Sequence, residues 1–339
     1  MAGGGDARSV LAMHAIRLHA FGPAENLVYE EVDDPKPASG QVRVAVRAVG
    51  VHLLDTMIRS GGQGGPFPLP DLPAIPGREV AGEVDAIGNG VDDRWLGRRV
   101  VAHLGMASSG YAELAVVPVE SLHELPDGLD YDAAVAMIGT GRTTLAVLEV
   151  ADLTPDDVVL VTAAAGGIGN LLVQEAHHLG TTVVGVAGGP DKVAQVLALG
   201  ADAAIDYRTP EWLPAVREAL GGRDVTVSFD GVGGEVGRGA MDLLGPGGRL
   251  VLYGWSSGEP TELDATDIMA GSLTVTAAIG PRILKRPGGM RDLETRALEK
   301  AASGEWVPLV GRLFPLAEAA AAHSALETRA TTGKVVLVP

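Results

Sequence analysis

From Pro126 to Gly254 the chain repeats one pattern: a short run of consecutive apolar residues, a turn, then a stretch with apolar residues at helical spacing. The run VVLVTAAA at 158–165 is apolar throughout, the profile of a strand buried on both faces of a parallel sheet. LLVQEAHHLG then reads as a helix, TTVVGVAG as a strand, PDKVAQVLALG as a helix, AAIDY as a strand, PEWLPAVREALGG as a helix, and VTVSFDGVG and GRLVLYG as strands. Strands separated by helices of this length pair in parallel, so the pattern predicts an α/β fold with a doubly wound parallel Rossmann sheet over 133–280.

Between the first strand and its helix lies AAAGGIGN. Gly166 allows the tight turn, Gly167 and Gly169 keep Cβ atoms away from a pyrophosphate and from the strand, and the helix starting near Ile168 points free N–H groups at an anion. Ala165, Gly166, Gly167, Ile168 and Gly169 are therefore expected to dock a dinucleotide. The usual G-x-G-x-x-G spacing is absent, because an alanine stands where a glycine is expected. About 20 residues on, where an NAD site carries a carboxylate for the ribose 2′-OH, the chain reads GVAGGPDK. Ala187, Gly188 and Gly189 leave room for a 2′-phosphate and Lys192 is placed to neutralise it, with Tyr207 and Arg208 able to stack on or pair with the same group. NADPH is the expected cofactor. Asp191 could instead hold a ribose in an NAD site, although after Pro190 a carboxylate in the first helical turn is also favoured by the helix dipole.

The first half reads differently. QVRVAVRAVGVHLLD alternates apolar and polar residues and then turns wholly apolar, as a strand does on passing from an edge into a core. SGGQGGPFPLPDLPAIPG at 60–77 is too rich in Gly and Pro for regular structure and reads as a loop that walls a pocket. REVAGEVDAIG, RRVVAHLG and YAELAVVP are further short strands, so 13–132 together with 281–339 is expected to form a β-rich barrel domain, and 1–12 a flexible extension. Formal net charge is −17 with no Lys/Arg cluster, which argues against nucleic acid and anionic bilayers as partners. No cysteine is present, so disulfides, thiolate metal sites and a cysteine nucleophile are excluded. No wholly apolar run approaches the roughly 20 residues that span a bilayer, and a cytoplasmic location is expected.

Assembled, these segments resemble the medium-chain dehydrogenase/reductase superfamily and, within it, the zinc-free NADPH:quinone oxidoreductases. The resemblance runs from Met13 to Pro339 and is carried by AVGVHLLDTMIRSG, IPGREVAGEV, VLVTAAAGGIG, DKVAQVLALGADAAIDYR, VSFDGVGG, VLYGWSSG and LETRATTGKVVLVP. It implies a GroES-like barrel, a homodimer, and hydride transfer from NADPH to a quinone or α,β-unsaturated carbonyl. A 2-alkenal or enoyl-type reductase and a non-enzymatic NADPH-binding protein of crystallin or sensor type are the alternatives, the negative charge weighing against an RNA-associated one. Where zinc-dependent relatives carry metal ligands, this chain has His52, Arg78 and Thr140. No metal is expected, since an arginine at the second ligand position brings a permanent positive charge.

The resemblance also supplies candidate site residues. His52 could donate to a carbonyl, or be a core-edge histidine bonded to backbone. Arg78 could steer an anionic or carbonyl substrate, or pair with Glu79 or Asp55. Asp55 matches a position usual in the quinone reductases, or caps a helix start. Met57 replaces a tyrosine frequent there, which removes a tyrosine proton donor. Thr143 is expected near the cofactor phosphates or nicotinamide ribose, with a helix cap as the alternative. Gly254 and Trp255 follow a strand at its carboxyl end, where ligands bind in open α/β sheets. Lys334 could approach the cofactor from the returning C-terminal strand.

Overall fold

The structure, a computed structural model, describes residues 12–62, 68–105 and 108–339. Residues 1–11 of the extension expected over 1–12, and residues 63–67 of the Gly/Pro-rich loop, lie outside them; Ala12 opens the first strand. The chain divides into two compact units, one of 1–125, 313–330 and 335–339, the other of 126–312 and 331–334.

The first unit begins with β1 (Ala12–Leu18) and β2 (Leu27–Asp33), an antiparallel pair. Then come β3 (Gln41–Val51), α1 (Leu53–Arg59), β4 (Glu79–Ile87), β5 (Arg99–His103), β6 (Leu114–Pro118) and β7 (Leu122–Glu124). In β3 the alternation predicted from the sequence holds: Val42, Val44 and Val46 point into the core while their neighbours do not, and from Ala48 to Val51 every residue is buried. At that end β3 is paired on both edges, by β4 from Ala48 to Gly50 and by the C-terminal strand from Val49 to Val51.

The second unit contains α2 (Tyr131–Ile138), α3 (Thr140–Ala151), β8 (Val158–Val161), α4 (Gly167–Leu179), β9 (Thr182–Ala187), α5 (Pro190–Ala198), β10 (Ala203–Asp206), α6 (Trp212–Ala219), β11 (Val225–Asp230), α7 (Gly234–Asp242), β12 (Leu244–Leu252), α8 (Ala265–Gly271), β13 (Thr274–Ala277), α9 (Pro281–Leu284) and α10 (Gly289–Ala302). Its six strands pair in parallel in the order β10-β9-β8-β11-β12-β13. That is the doubly wound order, with its switch point between β8 and β11. Successive β8 residues serve opposite faces: Val159 and Val161 join Leu172 and Val173 of α4 in one core, Val158 and Leu160 join Trp212 and Val216 of α6 in the other. The unit extends to Arg312, beyond the expected boundary at 280, because α10 packs on α2 and α3. Tyr131–Ala151 is long and apolar enough to cross a membrane, with mean hydropathy 1.3, and 67% of the most apolar stretch within it is buried inside the fold.

After α10 the chain forms β14 (Val310–Pro315), α11 (Ala319–Glu327) and β15 (Lys334–Val338), and β15 pairs antiparallel with β3 from Val335 onward.

Candidate functional site

In the second unit the end of β8 turns through Ala163, an alanine held at φ 48°, whose carbonyl accepts the Gly166 N–H at 2.8 Å. Gly166 caps α4 in an extended conformation with no side-chain acceptor for the first-turn N–H groups. Those donors and the positive end of a 13-residue helix therefore face whatever anion sits at the turn. The Asn170 amide donates to the Gly166 and Gly167 carbonyls at 2.8 and 2.6 Å and holds the turn closed. Gly169 is required by contact: a Cβ there would lie 2.3 Å from the Ala163 oxygen and 2.8 Å from the Ala164 Cα.

The C-terminal segment meets this turn. Gly333 N–H donates to the Ala165 carbonyl at 2.8 Å, and the Lys334 ammonium, 4% exposed, reaches the Thr140 hydroxyl at 3.5 Å. A Cβ on Gly167 would touch the same Thr140 at 3.2 Å. The structure thus brings Lys334 and Thr140 to the turn of Ala165, Gly166 and Gly167. Thr143 sits one helical turn along and donates its hydroxyl to the Gly139 carbonyl at 2.7 Å.

At the end of β9, Gly188 and Gly189 lie under two side chains from the end of β10. The Tyr207 hydroxyl is 3.2 Å from where a Gly188 Cβ would be, and the Arg208 guanidinium is 2.4 Å from that of Gly189, itself at φ 108°. Arg208 forms a two-pronged pair with Asp206, both bonds at 3.1 Å, and holds that carboxyl below its usual range. Lys192 is half-buried in the first turn of α5, next to exposed Asp191. Arg208, rather than any residue of α5, covers the glycine pair. The sequence signal for it was its place directly after a strand end.

The carboxyl ends of β8, β11 and β12 are tied together by residues that the sequence left unmarked. Asp230, fully buried, accepts from the Thr162 hydroxyl at 2.8 Å, from the Thr261 hydroxyl, and from the Val232 and Gly233 N–H groups. The Tyr253 hydroxyl donates to the Thr162 carbonyl at 3.0 Å, and burial pushes its phenol far above the ordinary range. These bonds fix the loop that presents Gly254 and Trp255, the latter 52% exposed.

In the first unit, His52 precedes α1 and its N–H donates to the Asp55 carboxylate at 2.9 Å. Its Nε2 lies 2.7 Å from Oε1 of Glu79, which is fully buried, so this nitrogen carries a proton and donates to the carboxylate. The Glu79 carboxylate is thus one partner of the imidazole. Asp55 also accepts from the Tyr111 hydroxyl at 3.1 Å, and Tyr111 lies 2.9 Å from His323 Nε2. With the tyrosine proton directed at Asp55, His323 must donate from Nε2, which leaves its buried Nδ1 without a partner among the described residues. Burial, helped by the charge of Arg59, lowers His323 to about 3, so it is neutral. Asp55 and Arg78 line a cavity of about 130 Å³ in this unit, together with Arg59.

Among the described residues no group of three or more His, Asp or Glu side chains could hold a metal ion. The chain matches the family model described as an alcohol dehydrogenase GroES-like domain over residues 38–127 and that described as a zinc-binding dehydrogenase over 167–296. It is 33% identical over 329 residues to 2-haloacrylate reductase of a Burkholderia species, covering 95% of this chain and 98% of that protein. It is 34% identical over 326 residues to quinone oxidoreductase of Pseudomonas aeruginosa, covering 96% and 99%. Among solved structures, Escherichia coli quinone oxidoreductase complexed with NADPH is similar with a TM-score of 0.84 at 31% identity, covering 96% of this chain and 100% of that one.

Proposed function

This chain belongs to the quinone oxidoreductase family of the medium-chain dehydrogenases and reductases, and we propose that it transfers hydride from NADPH to a quinone or α,β-unsaturated carbonyl compound without a metal ion. The observation that carries the cofactor choice is the Gly188-Gly189 pair lying under the Arg208 guanidinium, where a carboxylate would select NAD. The uncapped start of α4 with Lys334 and Thr140 suits the pyrophosphate, and Lys192, Tyr207 and Arg208 suit the 2′-phosphate. Thr143, Gly254 and Trp255 would complete the nicotinamide end. NADPH, when bound, supplies the hydride.

A quinone or enone accepts hydride by moving charge onto an oxygen, which requires a hydrogen-bond donor or a solvent proton and no Lewis acid. The donor set does not suit zinc: the chain has no cysteine, His52 Nε2 is bonded to Glu79, and Arg78 is a cation. His52 is held through Nε2 by Glu79, so donation from it to a substrate oxygen would come from the second nitrogen of a doubly protonated ring. The 2-haloacrylate reductase relative extends the acceptor class to unsaturated acids.

The test is oxidation of NADPH against a panel of simple quinones and enones, followed by the absorbance of the reduced nicotinamide. Turnover is expected, and cofactor binding with no turnover across the panel would favour a sensor or structural role. In the same assay Lys192→Ala is expected to weaken NADPH about tenfold, as loss of one charge-assisted bond does, while leaving NADH within about twofold. Equal losses would reject the 2′-phosphate assignment.

A homodimer is the assembly we favour, because β13 is the last strand of the parallel sheet among the described residues, and Met269 and Leu284, on the helices before and after it in the chain, are exposed at 80% and 67%. Thr276→Pro, which removes a ladder donor, is expected to shift the sedimentation of the protein from dimer toward monomer.

A further inference from the structure

In the doubly wound unit, backbone and guanidinium donors converge on one carboxylate at the end of β10. Asp206, the last residue of that strand, accepts through Oδ1 from the Arg208 N–H at 3.0 Å and from Nε at 3.1 Å, and through Oδ2 from Nη2 at 3.1 Å. The Gly189 N–H helps to hold the same carboxyl in its charged form. Gly189 directly precedes α5, and Asp206 pairs in register with Ala187, so the carboxylate stands beside the end of β9, where the 2′-phosphate is assigned above. Of the guanidinium nitrogens, Nη2 lies nearest the glycine pair, 2.4 Å from where a Gly189 Cβ would be, against 3.2 Å for Nη1. The nitrogen best placed over the glycines is thus engaged by Asp206, and only Nη1 has no acceptor among the described residues.

We propose that Asp206 is a specificity-determining residue of the cofactor site, an internal anion that competes with the 2′-phosphate for Arg208 and so moderates the preference for NADPH over NADH. This rests on the 2′-phosphate assignment above and deepens it. An arginine binds a phosphate most strongly through a fork of two parallel N–H bonds, and one fork of Arg208 is already closed by a carboxylate. A phosphate monoester carries nearly two negative charges near neutral pH, so a fixed carboxylate on the same guanidinium repels it at short range. NADH has a hydroxyl in place of that phosphate and experiences neither effect. Nor is the carboxylate needed as a brace. Arg208 already lies along the glycine pair, its Cδ 3.6 Å from the position of a Gly188 Cβ, so Asp206 adds charge where packing supplies the restraint.

Fluorescence titration of the full chain with NADPH and with NADH tests this without turnover. Asp206→Asn is expected to tighten NADPH by about fivefold or more and to change NADH by less than about twofold. Asp206→Ser, should the amide disturb the end of β10, is expected to act in the same direction. Arg208→Met is expected to weaken NADPH about threefold more in the Asp206→Asn background than in the native chain, the non-additivity of two groups that share one partner. NADPH binding that is unchanged or weaker in the folded Asp206 variants overturns the proposal, since removing a residue that merely orients Arg208 would lose affinity. An equal gain for NADH overturns it as well. So does an equal gain from Asp224→Asn, an exposed carboxylate just before β11 at the opposite end of the parallel strands, because the effect would then be one of net charge. If Arg208→Met weakens NADPH and NADH alike, the 2′-phosphate assignment itself fails. If it weakens NADPH selectively while neither Asp206 variant tightens it, the role of Asp206 fails and the assignment stands.

Discussion

Gly169→Ala is expected to lower NADPH affinity more than a hundredfold. The added Cβ would stand 2.3 Å from the Ala163 carbonyl oxygen and 2.9 Å from its carbon, and both are backbone atoms with no rotamer to escape into. The first turn of α4 would have to retract, and Ala163 cannot follow, since its carbonyl holds the Gly166 N–H and its φ of 48° is already unfavourable for an alanine. Overpacking of this kind costs typically 1–3 kcal/mol of stability. The binding loss adds to it, because the N–H groups that would meet the pyrophosphate move with the helix. Fluorescence titration with NADPH, alongside urea unfolding, separates the two. A destabilised protein that still binds NADPH normally would show that Gly169 serves packing alone.

Acid should destabilise the barrel unit through one histidine. His323 is fully buried and held neutral, its pKa lowered from an ordinary 6.5 to about 3 chiefly by burial and then by Arg59. Above pH 6.5 the imidazole is neutral in the folded and unfolded chains alike and contributes no pH dependence. Below it the unfolded chain takes up a proton that the folded one refuses, so stability falls at about 1.4 kcal/mol per pH unit until the folded pKa is reached. The loss from this group alone is about 2 kcal/mol at pH 5, and about 5 kcal/mol if the whole interval is traversed. His323→Gln, which keeps an N–H donor for Tyr111, is expected to remove about one proton from the slope of unfolding free energy against pH between 6.5 and 3. An unchanged slope would mean that other groups set the acid limit.

These two sites were unequally visible in the sequence. Gly169 follows a wholly apolar run and opens a helix, a local pattern that identifies a dinucleotide turn whatever the rest of the fold does. His323 stands in an alanine-rich helix 212 positions from Tyr111 and 268 from Asp55, and nothing in its neighbourhood marks it as the end of a buried network. The same contrast holds at the proposed cofactor and substrate sites. His52, Asp55 and Arg78 stand out as polar residues in a motif, yet the partner of His52 is Glu79, because β3 and β4 pair in a register that sets Glu79 opposite Gly50. Thr143, expected near the cofactor, donates its hydroxyl back to Gly139, and Thr140, about one helical turn earlier on α3, is the threonine that meets Lys334.

The amino-acid sequence by itself determined the alternation of strand and helix, the division into a β-rich and a doubly wound half, and the turn at AAAGGIG, because hydrophobic period and glycine placement act within a few residues of where they are read. Only the tertiary structure decided that Arg208 lies over Gly189, that Lys334 returns to Thr140 and Gly167, that Asp230 ties three strand ends together, and that Arg59 and Arg78 share one cavity. Each of these depends on strand order and register, which bring together side chains that no local pattern relates, and there the charge of one partner acquires meaning only from the burial of the other.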